Sequence, residues 1–110
     1  MSEPYRITAR AFHDLASLAD FISNKVERGE LVPAIASRFL DRVLEVCVNP
    51  YACESAPDPA AEGRDVRHAF FRTAGGRRHR FLFVVQHSII HVLRVRGASQ
   101  DLLRSPDELN

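Results

Sequence analysis

The sequence has no long apolar run, few cysteines and almost no lysine. No window approaches the ~18 apolar residues of a membrane-spanning helix, and the initial stretch MSEPYRITAR lacks the apolar core of a signal peptide. We therefore expect a cytoplasmic protein. Cys47 and Cys53 are too few for a disulfide framework and do not have CxxC spacing. A chain of 110 residues is long enough for a single core, so residues 1–110 are predicted to form one domain.

The scarcity of lysine leaves arginine as the main basic residue, and the arginines are unevenly placed. Eight of them lie between Arg64 and Arg96, where Asp65 is the one acid, although the net charge of the whole chain is only +1. This segregation predicts one basic surface rather than a generally basic protein. A guanidinium group binds phosphates and carboxylates through two parallel hydrogen bonds, so such a surface favours an anionic partner.

The amino-terminal half has the apolar spacing of two helices. A short strand at Tyr5–Thr8 precedes a helix from Ala9 to about Lys25, with Thr8 as its N-cap. A second helix is predicted from Pro33 to the stop at Asn49-Pro50. A turn at residues 27–30 should make them an antiparallel hairpin. The inner stripes are Phe12, Leu15, Ala19, Ile22 and Val26 in the first helix, and Ile35, Ala36, Phe39, Leu40, Val43, Leu44 and Cys47 in the second.

The apolar period changes from 3.6 to two after a proline-rich loop at residues 51–65. Three strands are predicted at residues 66–72, 79–86 and 89–96, joined by turns at 73–76 and 87–88. Their short connections favour an antiparallel meander. The predicted fold is α+β in the order β-α-α-β-β-β, with the helix hairpin on one face of the sheet and the amino-terminal strand completing its edge. One helical turn is expected near residues 100–103 of the tail.

Strand alternation predicts which side chains would form a binding surface. It places Phe81 and Phe83 on the helix side of the sheet and Arg80 on the other side. Arg94 and Arg96 share a face of the last strand, and we expect them to join Arg80. An exposed face that is both basic and apolar is typical of a binding surface. The predicted target-binding residues are Arg72, Arg80, Arg94 and Arg96, and the predicted apolar contacts to a partner are Leu82, Val84, Ile90 and Val92.

Five stretches, in this order along the chain, carry a family resemblance. They are Tyr5-Arg6-Ile7-Thr8 with Asp14-Leu15 and Ile22, then Ala36 with Phe39-Leu40, then Asn49-Pro50, then Arg80 to Val85, and finally Val92 to Leu102. Together they resemble the ParE/RelE superfamily of toxins from bacterial type II toxin–antitoxin systems. The resemblance implies a toxin that a cognate antitoxin, ParD-like or RelB-like, neutralises in a hetero-oligomer. It implies no cofactor and no metal ion.

The superfamily has two branches with different targets. ParE-like members poison DNA gyrase without hydrolysing nucleic acid, whereas RelE-like members cut messenger RNA on the ribosome. In the second case this chain would use Arg72, Arg80 and His68. After Gly97, where the nucleases usually place a proton-transfer group, there is no Tyr, His or Lys. The sequence therefore favours the ParE-like branch, with the RelE-like ribonuclease as the alternative and a plain nucleic-acid-binding module as the third possibility.

The remaining candidates have ordinary structural explanations. His68 could act as an acid or base, but packing at a sheet edge is the commoner role of a histidine. His87 and His91 have no third ligand nearby in sequence, so we expect no metal site. Arg80, Arg94 and Arg96 are expected to face solvent or a partner and to matter more for function than for folding. The alternative is that Arg80 pairs with an acid such as Asp65 or Asp101 and stabilises the fold.

Overall fold

The computed structural model describes residues 4–25, 34–73 and 76–110, and it has the predicted order of elements. The elements are β1 (Tyr5–Ile7), α1 (Ala9–Lys25), α2 (Ala34–Val48), β2 (Arg67–Arg72), β3 (Arg78–Gln86) and β4 (Ile89–Gly97). Thr8 caps α1, because its Oγ1 accepts a hydrogen bond from the Ala11 amide at 3.1 Å. The helix connection predicted at residues 27–30 lies outside the described residues.

The sheet contains four strands in the order β1-β4-β3-β2. The predicted antiparallel meander of β2, β3 and β4 is confirmed, and β1 completes the edge beside β4. Because β1 pairs with β4 in parallel, the sheet is mixed rather than wholly antiparallel. The short turns fix the direction of the meander strands, whereas β1 and β4 are far apart in sequence and no turn constrains them.

The helices and the sheet share one core. Phe39 of α2 packs edge-on against Phe81 of β3, with ring centroids 5.5 Å apart, and Phe83 belongs to the same cluster. Within it, α1 lies mainly against β4 and α2 mainly against β2. The predicted inner stripe of α2 is partly wrong. The buried residues are Ile35, Phe39, Val43 and Val46, whereas Leu40 and Leu44 are exposed, as is Phe12 of α1.

The face of the sheet opposite the helices is covered as well. The proline-rich loop contributes a 3₁₀ turn at Pro59–Ala61, and the tail forms another at Pro106–Leu109 rather than the helical turn expected near residues 100–103. These segments bury a second cluster composed of Ala60, Ala61, Val66, Leu82, Leu103 and Leu109. The predicted open face is therefore a second buried layer, because the apolar residues of that face need cover.

A β-bulge in β4 reverses the alternation on which the face assignment depended. Leu82 pairs with Arg94 while the next residue of β3, Phe83, pairs with Val92, so Leu93 is an extra residue. As a result Ile90 and Val92 lie in the core beneath the helices. The prediction that they share a face with Arg94 is wrong. The bulge could not be predicted, because the sequence of β4 does not show where an extra residue interrupts the pairing with β3.

Candidate functional site

The centre of the covered face is an ion pair between β3 and the proline-rich loop. The Arg80 guanidinium donates to both carboxylate oxygens of Asp58, at 2.8 and 2.6 Å, and Arg80 is only 3% exposed. Asp58 Oδ2 also accepts the backbone amide of Leu103 at 2.8 Å. Burial alone would raise the pKa of Asp58, but the hydrogen bonds from Arg80 and Leu103 outweigh it and the pKa is lowered. This carboxylate therefore joins the sheet, the loop and the tail.

His68 lies beside that pair on β2. Its Nδ1 is 3.3 Å from Arg80 Nη1, and the side chain is buried. Burial lowers the pKa of His68, and the positive charge of Arg80 lowers it further. A neutral imidazole can then accept a hydrogen bond from Arg80 through Nδ1. The structure thus brings together two of the three residues predicted for a ribonuclease site, Arg80 and His68, but both are buried on the covered face, whereas Arg72 is exposed and apart from them.

Arg94 forms a second ion pair at the other side of β4. Its Nε and Nη2 donate to the Asp14 carboxylate of α1 at 2.6 and 3.0 Å, and its Nη1 donates to the Glu108 carbonyl at 2.7 Å. The same Asp14 carboxylate accepts the backbone amide of Val95 at 3.0 Å. The group therefore connects the first helix, the last strand and the tail, and Arg94 is buried within it.

These contacts correct the predicted positions of two arginines. The prediction that Arg80 and Arg94 face solvent or a partner is wrong, because each is buried within the chain and paired with a carboxylate from another element. The alternative that Arg80 pairs with an acid holds, but the acid is Asp58 rather than Asp65 or Asp101. One feature of the sequence points to Asp58: it is an acid between two prolines, in a loop that must pass close to the sheet.

Arg72 and Arg96 have different surroundings. Arg72 is exposed and donates to the Gly76 carbonyl at 3.0 Å across its own hairpin. Arg96 is half-buried and donates to the Asp101 carbonyl at 3.0 Å. The four predicted target-binding arginines therefore do not form one exposed patch, although Arg80 and Arg96 are paired across β3 and β4.

The apolar contacts predicted for a partner are mostly inside the protein. Leu82, Ile90 and Val92 are buried, and Val84 packs partly against the second cluster. Leu82 and Val84 do lie on the face away from the helices, as predicted, but that face is covered. Among the described residues, four of the exposed large apolar side chains lie on the helices, while Tyr51 and Leu102 are exposed in the loop and the tail. We call the four on the helices, Phe12, Leu40, Leu44 and Val48, the helix ridge.

The helix ridge follows from the spacing of α2. Leu40, Leu44 and Val48 occur every four residues, so they lie one above the other along one side of the helix. Phe12 and Leu40 also line a groove of about 570 Å³ formed by residues of β1, α1 and α2. Val48 is 86% exposed and Phe12 is 58% exposed. Exposed large apolar side chains aligned along one side of a helix are typical of an interaction surface.

The cysteines and histidines give no evidence of a redox or metal site. Cys47 and Cys53 are free thiols, and burial raises the pKa of each, although Arg42 and Arg67 act in the opposite direction on Cys53. Among the described residues, no group of three or more His, Cys, Asp and Glu side chains could hold a metal ion.

No protein-family model matches this chain, and no curated protein matches its sequence. In the part of the chain that the structure describes, none of the helices has the length and apolar character needed to cross a bilayer.

Proposed function

We propose that this protein is the toxin of a type II toxin–antitoxin module, that it acts in the cytoplasm in the ParE-like manner by binding DNA gyrase, and that a cognate antitoxin neutralises it. The sequence resemblance to the ParE/RelE superfamily and the α+β architecture support the proposal. One observation favours the non-hydrolytic branch: Arg80 and His68, two of the three residues that RNA cleavage would use, are both buried. Cleavage requires such groups to reach the 2′-hydroxyl and the phosphate of the substrate.

The helix ridge is the part of this surface that best suits an antitoxin. An apolar segment that folds on binding would cover Leu40, Leu44 and Val48 at successive turns of α2. Exposed arginines Arg6 and Arg38 lie on β1 and α2 and would complement acidic side chains in that segment. The antitoxin proposed here is therefore a ParD-like or RelB-like chain whose binding segment is amphipathic and acidic.

A RelE-like ribonuclease is the second candidate, and one contact favours it. Arg80 Nη1 and His68 Nδ1 are 3.3 Å apart, which places a cation beside a group that can transfer protons. For this pair to act on RNA, the segment around Leu103 would have to leave the sheet. That movement would break the hydrogen bond between Leu103 and Asp58.

The two candidates are distinguished by what happens after the protein is induced in growing bacteria. The proposed function is supported if the protein abolishes DNA supercoiling by purified gyrase. Induced cells should then contain double-strand DNA breaks and intact messenger RNA. Ribosome-dependent cuts mapped by primer extension would support the ribonuclease instead. If neither appears and growth is unaffected, the toxin proposal fails.

Neutralisation is tested with the open reading frames on either side of the gene. Co-expression of the correct neighbour should restore growth and co-purify with the protein. Leu44→Lys and Val48→Lys should each prevent this rescue while toxicity is retained. Glu45→Lys is the matched control, because Glu45 is exposed on α2 and lies about 100° around the helix from Leu44. Rescue that is equally efficient with all three variants would show that the antitoxin binds elsewhere.

A further inference from the structure

The face of the sheet away from the helices is covered at its centre, but it has exposed side chains at one end, where β2 ends and β3 begins. Arg72 and Arg78 are cross-strand partners there, and both are exposed. Arg72 donates to the Gly76 carbonyl at 3.0 Å, and among the described residues no carboxylate lies within ion-pair distance of either arginine. Like charges directly opposite each other destabilise a pair of strands. A bound anion would reduce this repulsion.

Arg96 adds a third cation to the same end of this face. It lies opposite Arg80 in the β3–β4 register, and Arg80 is two residues along β3 from Arg78, so all three side chains point to the same side of the sheet. Arg96 is half-buried and donates to the Asp101 carbonyl at 3.0 Å rather than to a carboxylate. Burial lowers the pKa of Arg96, and the positive charges of Arg94 and Arg80 lower it further. This end of the face therefore has an excess of positive charge.

Phe70 lies beneath Arg78 on this face. The Cζ atom of Arg78 is 3.8 Å from the centroid of the Phe70 ring, a distance at which a guanidinium group stacks on a ring. The His68 ring also contacts Phe70, with the two centroids 4.9 Å apart. Phe70 is half-buried whereas Arg78 is exposed, so the guanidinium presents its other side to solvent. Because the stack orients the guanidinium before a ligand binds, less conformational entropy is lost on binding.

An oriented guanidinium with one open side selects among anionic partners. An unpaired base stacks on guanidinium planes and aromatic rings, and the phosphates beside it accept hydrogen bonds from arginine. The carboxylates of an acidic peptide can pair with arginines, but aspartate and glutamate side chains have no ring to stack. The bases of a duplex are already stacked on one another, so a duplex would offer only its phosphates. The stack of Arg78 on Phe70 therefore favours a single strand of nucleic acid.

We propose that this end of the sheet binds a single-stranded segment of nucleic acid. We call it the arginine platform, and it is composed of Phe70, Arg72, Arg78 and Arg96. One base stacks on Arg78, and Arg72 and Arg96 donate to phosphates on either side of that base. Neighbouring strands of a sheet are about 4.8 Å apart, so Arg72 and Arg96 are separated by about 10 Å across β3 and can contact different phosphates.

Two acids define the direction of the bound strand. Phe70 and Arg78 also line a hollow of about 540 Å³ beside the outer edge of β2, and Glu45 and Glu54 line the same hollow. Carboxylates repel phosphates, so the nucleic acid should cross β3 toward β4 rather than follow the edge of β2. This binding activity is additional to the binding of gyrase and does not rest on it.

The test is fluorescence anisotropy of the full chain with labelled oligonucleotides of about ten nucleotides, oligothymidylate as DNA and oligouridylate as RNA. At least one should bind with a dissociation constant below about 100 μM at physiological salt. Arg78→Ala should weaken binding by about tenfold, as expected for the loss of one stacked base. Arg78→Lys should also weaken it, because lysine keeps the charge but has no planar group. Arg38→Ala is the matched control, since Arg38 is exposed on α2 and lies on the other side of the sheet.

Salt dependence tests the phosphate contacts separately from the stacked base. Arg72→Ala should reduce the slope of the logarithm of the affinity against the logarithm of the salt concentration by about 0.7, the value for one phosphate contact to a single strand. Arg78→Lys should leave this slope close to that of the wild type. Both side chains are exposed, and thermal melts of the variants should confirm that they remain folded.

Tighter binding of oligouridylate would identify RNA as the ligand, tighter binding of oligothymidylate would identify DNA, and either result supports the proposal. Absence of binding to both would overturn it, as would an Arg78→Lys variant that binds as tightly as the wild type. Equal affinity for a polyglutamate peptide or for a duplex of the same length would overturn the choice of a single strand. Gyrase inhibition and antitoxin rescue are measured independently, so failure of the toxin proposal is distinguishable from failure of this site.

Discussion

Arg80 and Asp58 form a buried pair with two hydrogen bonds, of 2.8 and 2.6 Å, between the central strand β3 and the loop that covers it. The same carboxylate binds the amide of Leu103, so the loop and the tail are attached to the sheet at one point. Neither charge of the pair is compensated by water, because both side chains are almost completely inaccessible. The stability of this whole face therefore depends on the two partners being present together.

Arg80→Ala should lower the free energy of unfolding by about 3–5 kcal/mol, because it leaves the buried Asp58 carboxylate unpaired. Arg72→Ala, which removes an exposed arginine from the neighbouring strand, should change it by less than about 0.5 kcal/mol. Urea unfolding followed by circular dichroism measures both. If Arg80→Ala unfolds at the same urea concentration as Arg72→Ala, the pair does not stabilise the fold.

The double variant Arg80→Met with Asp58→Leu should be considerably more stable than Arg80→Ala. It removes both charges and fills the space with apolar atoms, and such replacements of a buried ion pair are often neutral or stabilising. The same urea titration applies. A double variant as unstable as the single one would mean that the loss comes from packing rather than from the unpaired carboxylate.

Asp14→Ala should destabilise the protein more than Arg94→Ala. Asp14 accepts hydrogen bonds from the Arg94 guanidinium and also from the Val95 amide, so its removal leaves a backbone donor of β4 without that acceptor. We expect a difference of about 1 kcal/mol, the net worth of one hydrogen bond. A double-mutant cycle by urea unfolding should in addition give a favourable coupling between the two side chains. Equal losses for the two single variants would contradict the second role of Asp14.

Stability should fall as the pH is lowered from about 6.5. Burial lowers the pKa of both His68 and His79, helped by Arg80 and Arg77 respectively, so each ring takes up its proton at a lower pH in the folded protein than in the unfolded chain. In the unfolded chain they take up protons near pH 6.5. The unfolded state then binds more protons, and the free energy of unfolding decreases from that pH down to the lowered pKa values of the folded state. Asp58, with its lowered pKa, adds a further decrease only below about pH 3.9.

This dependence is measured by urea unfolding at several values between about pH 7.5 and pH 5. His68→Gln and His79→Gln should each make the decrease shallower. His13→Gln is the control substitution, since it makes the same change at an exposed histidine of α1. If the free energy of unfolding of both His68→Gln and His79→Gln decreases with pH as steeply as that of the wild type, other groups cause the pH dependence.

His87→Asn with Ser88→Gly should stabilise the β3–β4 hairpin. His87 and Ser88 have φ values of 54° and 65°, a left-handed conformation in which side chains are disfavoured. Asn-Gly is the sequence preferred in two-residue turns with this backbone. The double substitution should raise the melting temperature and add about 1 kcal/mol to the free energy of unfolding. A lower melting temperature would show that the two native side chains make stabilising contacts that outweigh the backbone preference.

The elements of the fold could be predicted because each follows from local periodicity. The helices from residues 9 and 34, the Thr8 cap and the turn at His87-Ser88 all depend on nearby residues. The direction of β1 and the cover over the second face depend on contacts between distant parts of the chain. Leu82 was predicted to meet a partner, yet Leu103 of the same chain lies against it in the second cluster.

The candidate site was harder to predict for the same reason. Alternation placed Arg80 on the face away from the helices, and this is correct, but alternation does not show whether a face is exposed. The Arg80 guanidinium can be buried because it pairs with Asp58. Since 22 residues separate Arg80 from Asp58, local sequence patterns do not predict this pair. His79 was overlooked, although it occupies a core-facing position in the alternation that includes Phe81 and Phe83. A polar residue at a core-facing position of a strand is unusual, and this could have drawn attention to His79.

The hydrogen bonds along the outer strands also affect how copies of this protein meet one another. Beyond the end of β1, Thr8 and Asp14 bind the backbone of β4. On the other side of the sheet, the Glu54 carbonyl and the Arg42 side chain bind the backbone of β2. An unpaired strand margin is a template to which a second chain can add its own strand, the first step toward fibrils and swapped dimers. Side chains and loops already occupy positions along β2 and along the part of β4 that extends beyond β1. A second chain that extends this sheet should therefore be disfavoured at β2 and at that end of β4.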